Sequence, residues 1–396
     1  MNTYLPRITL MLGNVFIGLA VLGPAGMMAP MAQGLHVGIH DIGQLVTYGA
    51  VVLCIGSPLI AWFTTKVDRR ALLVATLVLI AMFQAASALA PDYMVLLLLR
   101  LLMSAAIAIY TPQAAATVAM IVPERERASA IAVVFLGWSV AIAGGLPLVT
   151  FIATHFGWRA VFGTVSMAAL IGALLIYVSV PSGLQGRPLS LASFRIIARN
   201  KRIVTILAIT LIQTSGQFTV FVYLAPLLKG LAGAGPAIAG AFFAAYGLVG
   251  LVGNVIASAI VGRLGAQRTL ALFLFSTFAG LLVWAIGAGW LVAMGAGVAL
   301  WALGFSAVNS MQQARLAAAA PELASASIAL NSSMLYVGQA AGSAIGGLLY
   351  ATGHLVAAGY VGTALVAAGG ALLAASWQKA PSIPATRGAA RPAPAE

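Results

Sequence analysis

The chain has 396 residues, of which 62% are apolar and 7% charged, with a formal net charge of +13. A soluble domain carries roughly 25% charged residues because its surface must face water, so a water-facing globule is excluded and lipid is the expected solvent. The basic residues stand in short clusters, such as Lys66, Arg69 and Arg70 or Arg199, Lys201 and Arg202, and form no basic face, which argues against nucleic acid.

A membrane-spanning helix needs about 20 mainly apolar residues. The first apolar run, 8–33, is longer than the roughly 7–15 residues of a signal-peptide core and is taken as a retained first span. Gly23, Pro24, Gly26 and Pro30 should bend it. Further spans are expected at 41–63, 71–90, 94–120, 128–153 and 160–181, with Pro112 and Pro147 bending spans four and five. Segment 182–202 mixes Gly, Pro and basic residues with Leu189, Phe194 and Ile197 at near-helical spacing. It reads either as a short basic helix on the membrane surface or as a solvated linker. Spans seven to twelve follow at 203–227, 237–262, 270–288, 291–316, 326–350 and 355–377, and an Ala/Pro/Arg-rich tail is expected to be disordered. The expected division is a six-helix bundle at 1–181, the linker 182–202, a second six-helix bundle at 203–378 and the tail 379–396.

An even count puts both termini on one side. With that side cytoplasmic, only Arg159 and Lys229 of the 20 Lys and Arg residues fall outside, and Arg100 lies within a span, as the positive-inside rule requires. Each half also carries a basic turn between its second and third spans, Lys66 to Arg70 and Gly262 to Arg268. Two related halves with a site near the midplane are a common transporter plan.

Three motifs carry a family resemblance. Lys66-Val67-Asp68-Arg69-Arg70 is a shortened acid-then-arginine loop, Arg100 stands in span four, and Gly137, Gly144, Gly145 and Pro147 form a spaced glycine–proline pattern in span five, followed by Phe156-Gly157-Trp158-Arg159. In this order the chain resembles the major facilitator superfamily, in particular bacterial permeases of the drug:proton antiporter and sugar-efflux (arabinose-efflux-permease-like) type. The resemblance implies an all-α fold of 12 transmembrane helices in two pseudo-symmetric six-helix bundles, multi-pass in the bacterial inner membrane, monomeric by default, with protons as the candidate coupling ion. It implies that Asp68, with Arg69 and Arg70, locks one state by contacting the other half, that the span-five glycines let helices pack closely, and that spans one, four, seven and ten line a cavity. Ala119 and Met120 stand where many relatives place an acid.

Polar side chains within spans are functional candidates, because hydrocarbon penalises them. Asn14, Gln113, Gln213, Thr214, Gln217, Asn309, Gln312 and Gln339, with Trp138, Tyr246 and Tyr336, are read as lining a substrate cavity. Amides and rings suit a neutral or amphipathic solute; the alternative is helix–helix hydrogen bonding. Arg100 is expected to bridge span four to spans one and two through Tyr48, Gln44 or the Gly26 carbonyl, which Pro30 leaves without an N–H donor; the alternative is snorkelling.

The seven acids all lie outside the middles of spans. Asp41 is expected to cap span two. Without a mid-span carboxylate, weak or absent proton-gradient dependence is expected, with coupling through Asp41, Asp68 or a histidine as the alternative. One cysteine, Cys54, rules out an internal disulfide, and the four histidines lack metal-site spacing, so no metal or cofactor is expected. No nucleophile–base constellation points to an enzyme. The expected function is alternating-access export of a small solute (drug, sugar or metabolite). An uncoupled facilitator, an uptake permease and a transporter-like sensor are the alternatives.

Overall fold

The computed structural model of the protein describes residues 4–63, 67–123, 126–185, 196–319 and 324–377, and every regular element among them is a helix. Ten of these helices are long and apolar enough to cross a bilayer. One of them, Pro236–Ile286, is 51 residues long and breaks at Gly265, whose φ of 78° no helix accommodates. Its two arms are spans eight and nine. The remaining span, Ala324–Ala351, has 28 residues but falls short in hydropathy because it carries Asn331, Ser332, Ser333, Gln339 and Ser343. The twelve-helix reading therefore holds.

Span one is Tyr4–Gly26 continued by Met28–Leu35. Spans two to four are Ile39–Phe63, Arg69–Ala88 and Tyr93–Ile121, and span six is Trp158–Ser179. Span five runs Arg127–Val140, then a π-helical turn Ala141–Gly145, then Leu146–Phe156. Span seven is Lys201–Phe221 continued by Leu224–Ala232. Spans ten and twelve are Leu291–Ala319 and Leu355–Ala375.

Prolines decide where the spans break. A proline has no N–H for the carbonyl four residues before it. Pro30 thus frees Gly26, and span one breaks at Met27. Pro226 frees Val222, and span seven breaks at Val222 and Tyr223 in the corresponding place of the second half. The short helix after each break ends on a left-handed residue, His36 in one case and Gly233 in the other. In span five, Pro147 frees Ala143 inside the π turn; such turns accommodate a locally interrupted ladder. Pro112 leaves span four continuous.

Side-chain caps fix three helix starts. Asp68 and Asp92 each accept a backbone N–H three residues on, from Ala71 and Val95, at 2.9 Å. Asn200 accepts from Arg202 and Ile203. Asp41 departs from expectation. It sits one turn inside span two and reaches back to the Gly38 N–H at 2.9 Å, the return half of a capping box.

Within each half the spans pack as a bundle, and across the halves span two packs on eleven and span five on eight. Of segment 182–202, 186–195 lie outside the described residues. Ile197 packs beneath the second half with Ile203, Ile206, Leu207 and Leu316. The tail, 379–396, also lies outside the described residues.

Candidate functional site

The second half holds a buried amide chain. Gln213 donates through Nε2 to Thr214 Oγ1 at 2.8 Å, and Gln217 Nε2 donates to Gln213 Oε1. Gln217 Oε1 then accepts from Trp301 Nε1 at 2.9 Å and from Tyr246 Oη at 3.4 Å. Rings close around it: Tyr246 lies 4.8 Å from Trp301, 4.9 Å from Phe221 and 5.2 Å from Phe305 by centroids. Aromatic pairs at these separations add about 0.5–1.5 kcal/mol each beyond burial. Spans seven, eight and ten thus share one polar–aromatic cluster. Trp301, Phe221 and Phe305 were not singled out from the sequence. The signal for Trp301 was an indole N–H in mid-span, which needs an acceptor in hydrocarbon.

A second polar chain lies nearer the chain termini. Thr210 Oγ1 donates to Asn331 Oδ1 at 2.8 Å, and Asn331 Nδ2 donates to Asn309 Oδ1 at 3.1 Å. Gln312 is wholly buried, with Nε2 3.0 Å from the Ile206 carbonyl. In the first half, Asn14 joins three spans: Nδ2 donates to the Val134 carbonyl, and Oδ1 accepts from Thr111 Oγ1, both at 2.8 Å. Asn14 is therefore engaged in helix–helix bonding. Gln113 is buried, Trp138 and Tyr336 are half-buried, and Gln339 is buried with Nε2 free of protein partners among the described residues.

Arg100 is buried and does bridge to span one, but through other atoms. Nη1 donates to the Ala20 carbonyl at 2.6 Å and Nη2 to the Val21 carbonyl at 3.1 Å. The cause is Pro24, which frees the Ala20 carbonyl just as Pro30 frees that of Gly26. The Gly26 carbonyl is taken by Thr150 Oγ1 at 3.0 Å. Gln44 pairs with His40 at 2.7 Å, and Tyr48 is exposed, so neither is the anchor.

The span-five pattern divides. A Cβ on Gly137 would lie 2.8 Å from Asn14 Cβ, and one on Gly145 would lie 3.1 Å from Leu19 Cγ, so both mark close packing on span one. Gly144 has nothing within 4 Å of its Cβ position; close packing does not account for it. Pro147 faces Gly240 of span eight across the halves.

Where the halves meet, Ser343 Oγ donates to the Gly43 carbonyl at 3.3 Å, and Ser139 and Ser306 hydroxyls lie 3.2 Å apart. Tyr223 wedges between Gly43 and Gly347, beside His40. These contacts lie in the middle and at the end away from the chain termini. At the terminal end, Met120 of span four and Ala314 and Ala318 of span ten are exposed. There the Asp68 carboxylate is engaged within its own loop system, by the Ala71 and Gly183 N–H groups, which hold its pKa below the usual carboxylate value. Arg69 is buried, and Arg70 lies over the Tyr177 ring at 5.0 Å. An apolar groove of about 290 Å³ between spans nine and twelve, lined by Leu274, Phe278 and Trp377 among others, involves none of these polar groups.

A family model described as Major Facilitator Superfamily matches residues 10–342. The chain is 27% identical over 348 residues to an inner membrane transport protein, YdhP, of Escherichia coli O157:H7, covering 88% of this chain and 89% of that protein. It is 24% identical over 338 residues to YbcL of Bacillus subtilis (strain 168), an uncharacterized MFS-type transporter, covering 85% and 87%. Among solved structures it is similar to the xylose transporter XylE from E. coli in a partially occluded inward open conformation, with a TM-score of 0.75, 14% identity and coverage of 94% and 97%. It is also similar to the peptide transporter POT in complex with alafosfalin, with a TM-score of 0.74, 15% identity and 93% of each chain covered. At such identities the structures show a shared fold alone.

Proposed function

Because the chain belongs to the major facilitator superfamily, whose members are membrane transporters, we propose that it exports a small neutral or amphipathic solute by alternating access across a bacterial inner membrane. The observation that carries the solute class is the buried Gln213–Gln217 pair tied to Tyr246 and Trp301. Amide groups orient a solute by hydrogen bonds, and the surrounding rings supply apolar contact. We take Asn309, Gln312 and Gln339 of the second half, and Gln113 and Trp138 of the first, as further members of the cavity lining.

The moving bodies are 1–181 and 203–378. Spans one and seven are interrupted in corresponding positions by Pro30 and Pro226, the arrangement that marks binding sites in repeat-built transporters. With both termini cytoplasmic, the contacts among Gly43, Tyr223 and Ser343 form the outer gate. The conformation is then inward-facing, and Asp68 is released from its cross-half lock. The Gly137, Gly145 and Pro147 packing supports export over uptake, by likeness to the span-five pattern of antiporters. The protein acts as a monomer and performs no catalysis.

Flux in proteoliposomes tests this reading. A drug and metabolite panel is loaded, and efflux is compared with and without an imposed proton gradient. Transport of no solute by protein that remains folded would refute the transporter mechanism for this chain. Strong gradient-driven efflux that survives neutralisation of Asp41, Asp68 and each histidine would refute the expectation of weak proton coupling.

A further inference from the structure

Spans nine and twelve run antiparallel and meet where a Cβ on Gly370 would lie 3.9 Å from Leu274 Cδ2. Around that contact lies the apolar groove of about 290 Å³. Leu274, Val366 and Leu373 at its base are buried, while Phe275 and Trp377 stand out of it, 66% and 43% exposed. Alanine or glycine at 271, 367, 370 and 374 is too short to fill the space between. Span twelve packs on spans seven, nine and eleven of its own half, so the exposed rings face lipid and not the opposing half. Along span twelve the lining runs from Val366 to Trp377, about 16 Å at 1.5 Å per residue. That matches the depth of one leaflet, about half of a hydrocarbon core roughly 30 Å thick.

The groove has a polar mouth at its terminal end. Arg268 lies in the first turn of span nine, three residues before Ala271 and so on the same face of the helix. From the Gly370–Leu274 contact, Arg268 is about 9 Å along span nine and Trp377 about 10 Å along span twelve, both toward the chain termini. The two therefore flank the mouth at one depth. Arg268 is exposed, and among the described residues no group holds it; the one ion pair there joins Arg7 to Glu126. No Asp or Glu occurs in either span or in the turn before span nine. The first half differs at the corresponding place. Spans three and six are joined there by Ser166 Oγ, which donates to the Ala81 carbonyl at 2.7 Å, and Arg70 is taken up by Tyr177, over its ring at 5.0 Å and on its carbonyl at 3.5 Å.

The positive-inside tendency explains an arginine at this end. It does not explain a leaflet-deep groove that opens beneath an unpaired guanidinium and an indole. An acyl chain gains nothing by leaving one hydrocarbon surface for another, so selection has to come from the headgroup. Arginine favours a phosphate that retains net negative charge, and basic sites beside the bilayer recruit anionic lipids. We propose that this groove holds one acyl chain of an anionic phospholipid from the leaflet next to the chain termini, with the lipid phosphate on Arg268 and the Trp377 indole N–H beside it. The site lies apart from the polar cluster of the interior, so it stands whatever solute is carried.

The test is native mass spectrometry of the full-length protein in detergent, titrated with phosphatidylglycerol or with zwitterionic phosphatidylcholine of the same chains. The first phosphatidylglycerol should bind at least 10-fold more tightly than phosphatidylcholine. R268Q should bring the two within about 3-fold of each other, whereas K201Q, which removes an exposed charge in the first turn of span seven, should leave the preference intact. A374F and A367F fill the groove from exposed positions and should each weaken both lipids at least 10-fold with Arg268 in place. Equal binding of the two lipids to wild type, unchanged affinity in both filled variants, or the same loss in K201Q as in R268Q would overturn the proposal. So would a lipid-free dimer that A374F converts to a monomer, because a second copy would then be the occupant.

Discussion

Gly43→Ala should prop open the contact between the halves at the end away from the termini. A Cβ on Gly43 would fall on Tyr223 Oη and Cζ and lie 2.9 Å from Cε1. Tyr223 has little room to yield. It is 1% exposed, stacks on Tyr350 at 5.9 Å, and its hydroxyl also fills the Cβ position of Gly347 beside His40. Overpacking of this kind costs about 1–3 kcal/mol. Separation of spans two, seven and eleven relieves the clash, so the cost falls on the closed state alone. The closed-to-open ratio should then drop about 5- to 150-fold. Ser343 is wholly buried at this contact, which makes Ser343→Cys in a Cys54→Ser background a reporter of opening. Its labelling by a membrane-impermeant maleimide should accelerate by the same factor in Gly43→Ala. Tyr223→Ala removes the obstructing ring, so the double variant should label no faster than Tyr223→Ala alone, a non-additivity diagnostic of direct contact. An unchanged labelling rate in Gly43→Ala, with transport intact, would refute the reasoning.

Arg100→Lys cannot reach the Ala20 and Val21 carbonyls together, and should lose about 1.5–3 kcal/mol, seen as a lower Tm in detergent; Pro24→Ala, which returns an N–H to the Ala20 carbonyl, should weaken the same anchor. Gln217→Leu strands the Trp301 indole N–H and the Tyr246 hydroxyl, so thermal unfolding should report a loss of about 1–3 kcal/mol, and solute affinity should fall with it. Asp68→Ala removes the cap of span three and should cost about 1 kcal/mol. The folded-state pKa of Asp68 is depressed, so its contribution is present above the unfolded carboxylate pKa and is lost as pH falls through the folded value. The Tm gap between wild type and Asp68→Asn should therefore be open at neutral pH and close on acidification.

Some of the site could be read directly from residue type. Asp68, Asp92 and Asn200 cap because a short acceptor before an apolar run has a local target three residues on. The Arg100 bridge followed the same local logic, a proline freeing the carbonyl four residues earlier, but the choice between Pro24 and Pro30 depended on which turn of span one faces span four. Pro226 carried the signal for the break in span seven, and it is recognised as the counterpart of Pro30 once the two halves are compared. Asp41 was placed one turn off, because a carboxylate at the third helical position can reach back to the N–H that precedes the helix.

By itself, the sequence determined the solvent, the number of crossings and their ends, because hydrophobic length and turn chemistry are properties of contiguous residues. Tertiary structure alone decided the partners: Gln217 with Trp301 rather than with a residue of the first half, Asn14 with Val134 and Thr111, Tyr223 against Gly43. A helix apolar on every side carries no 3.6-residue pattern to reveal which face meets which neighbour. The rotation of each span is set instead by where small residues let backbones approach and where buried polar groups find each other.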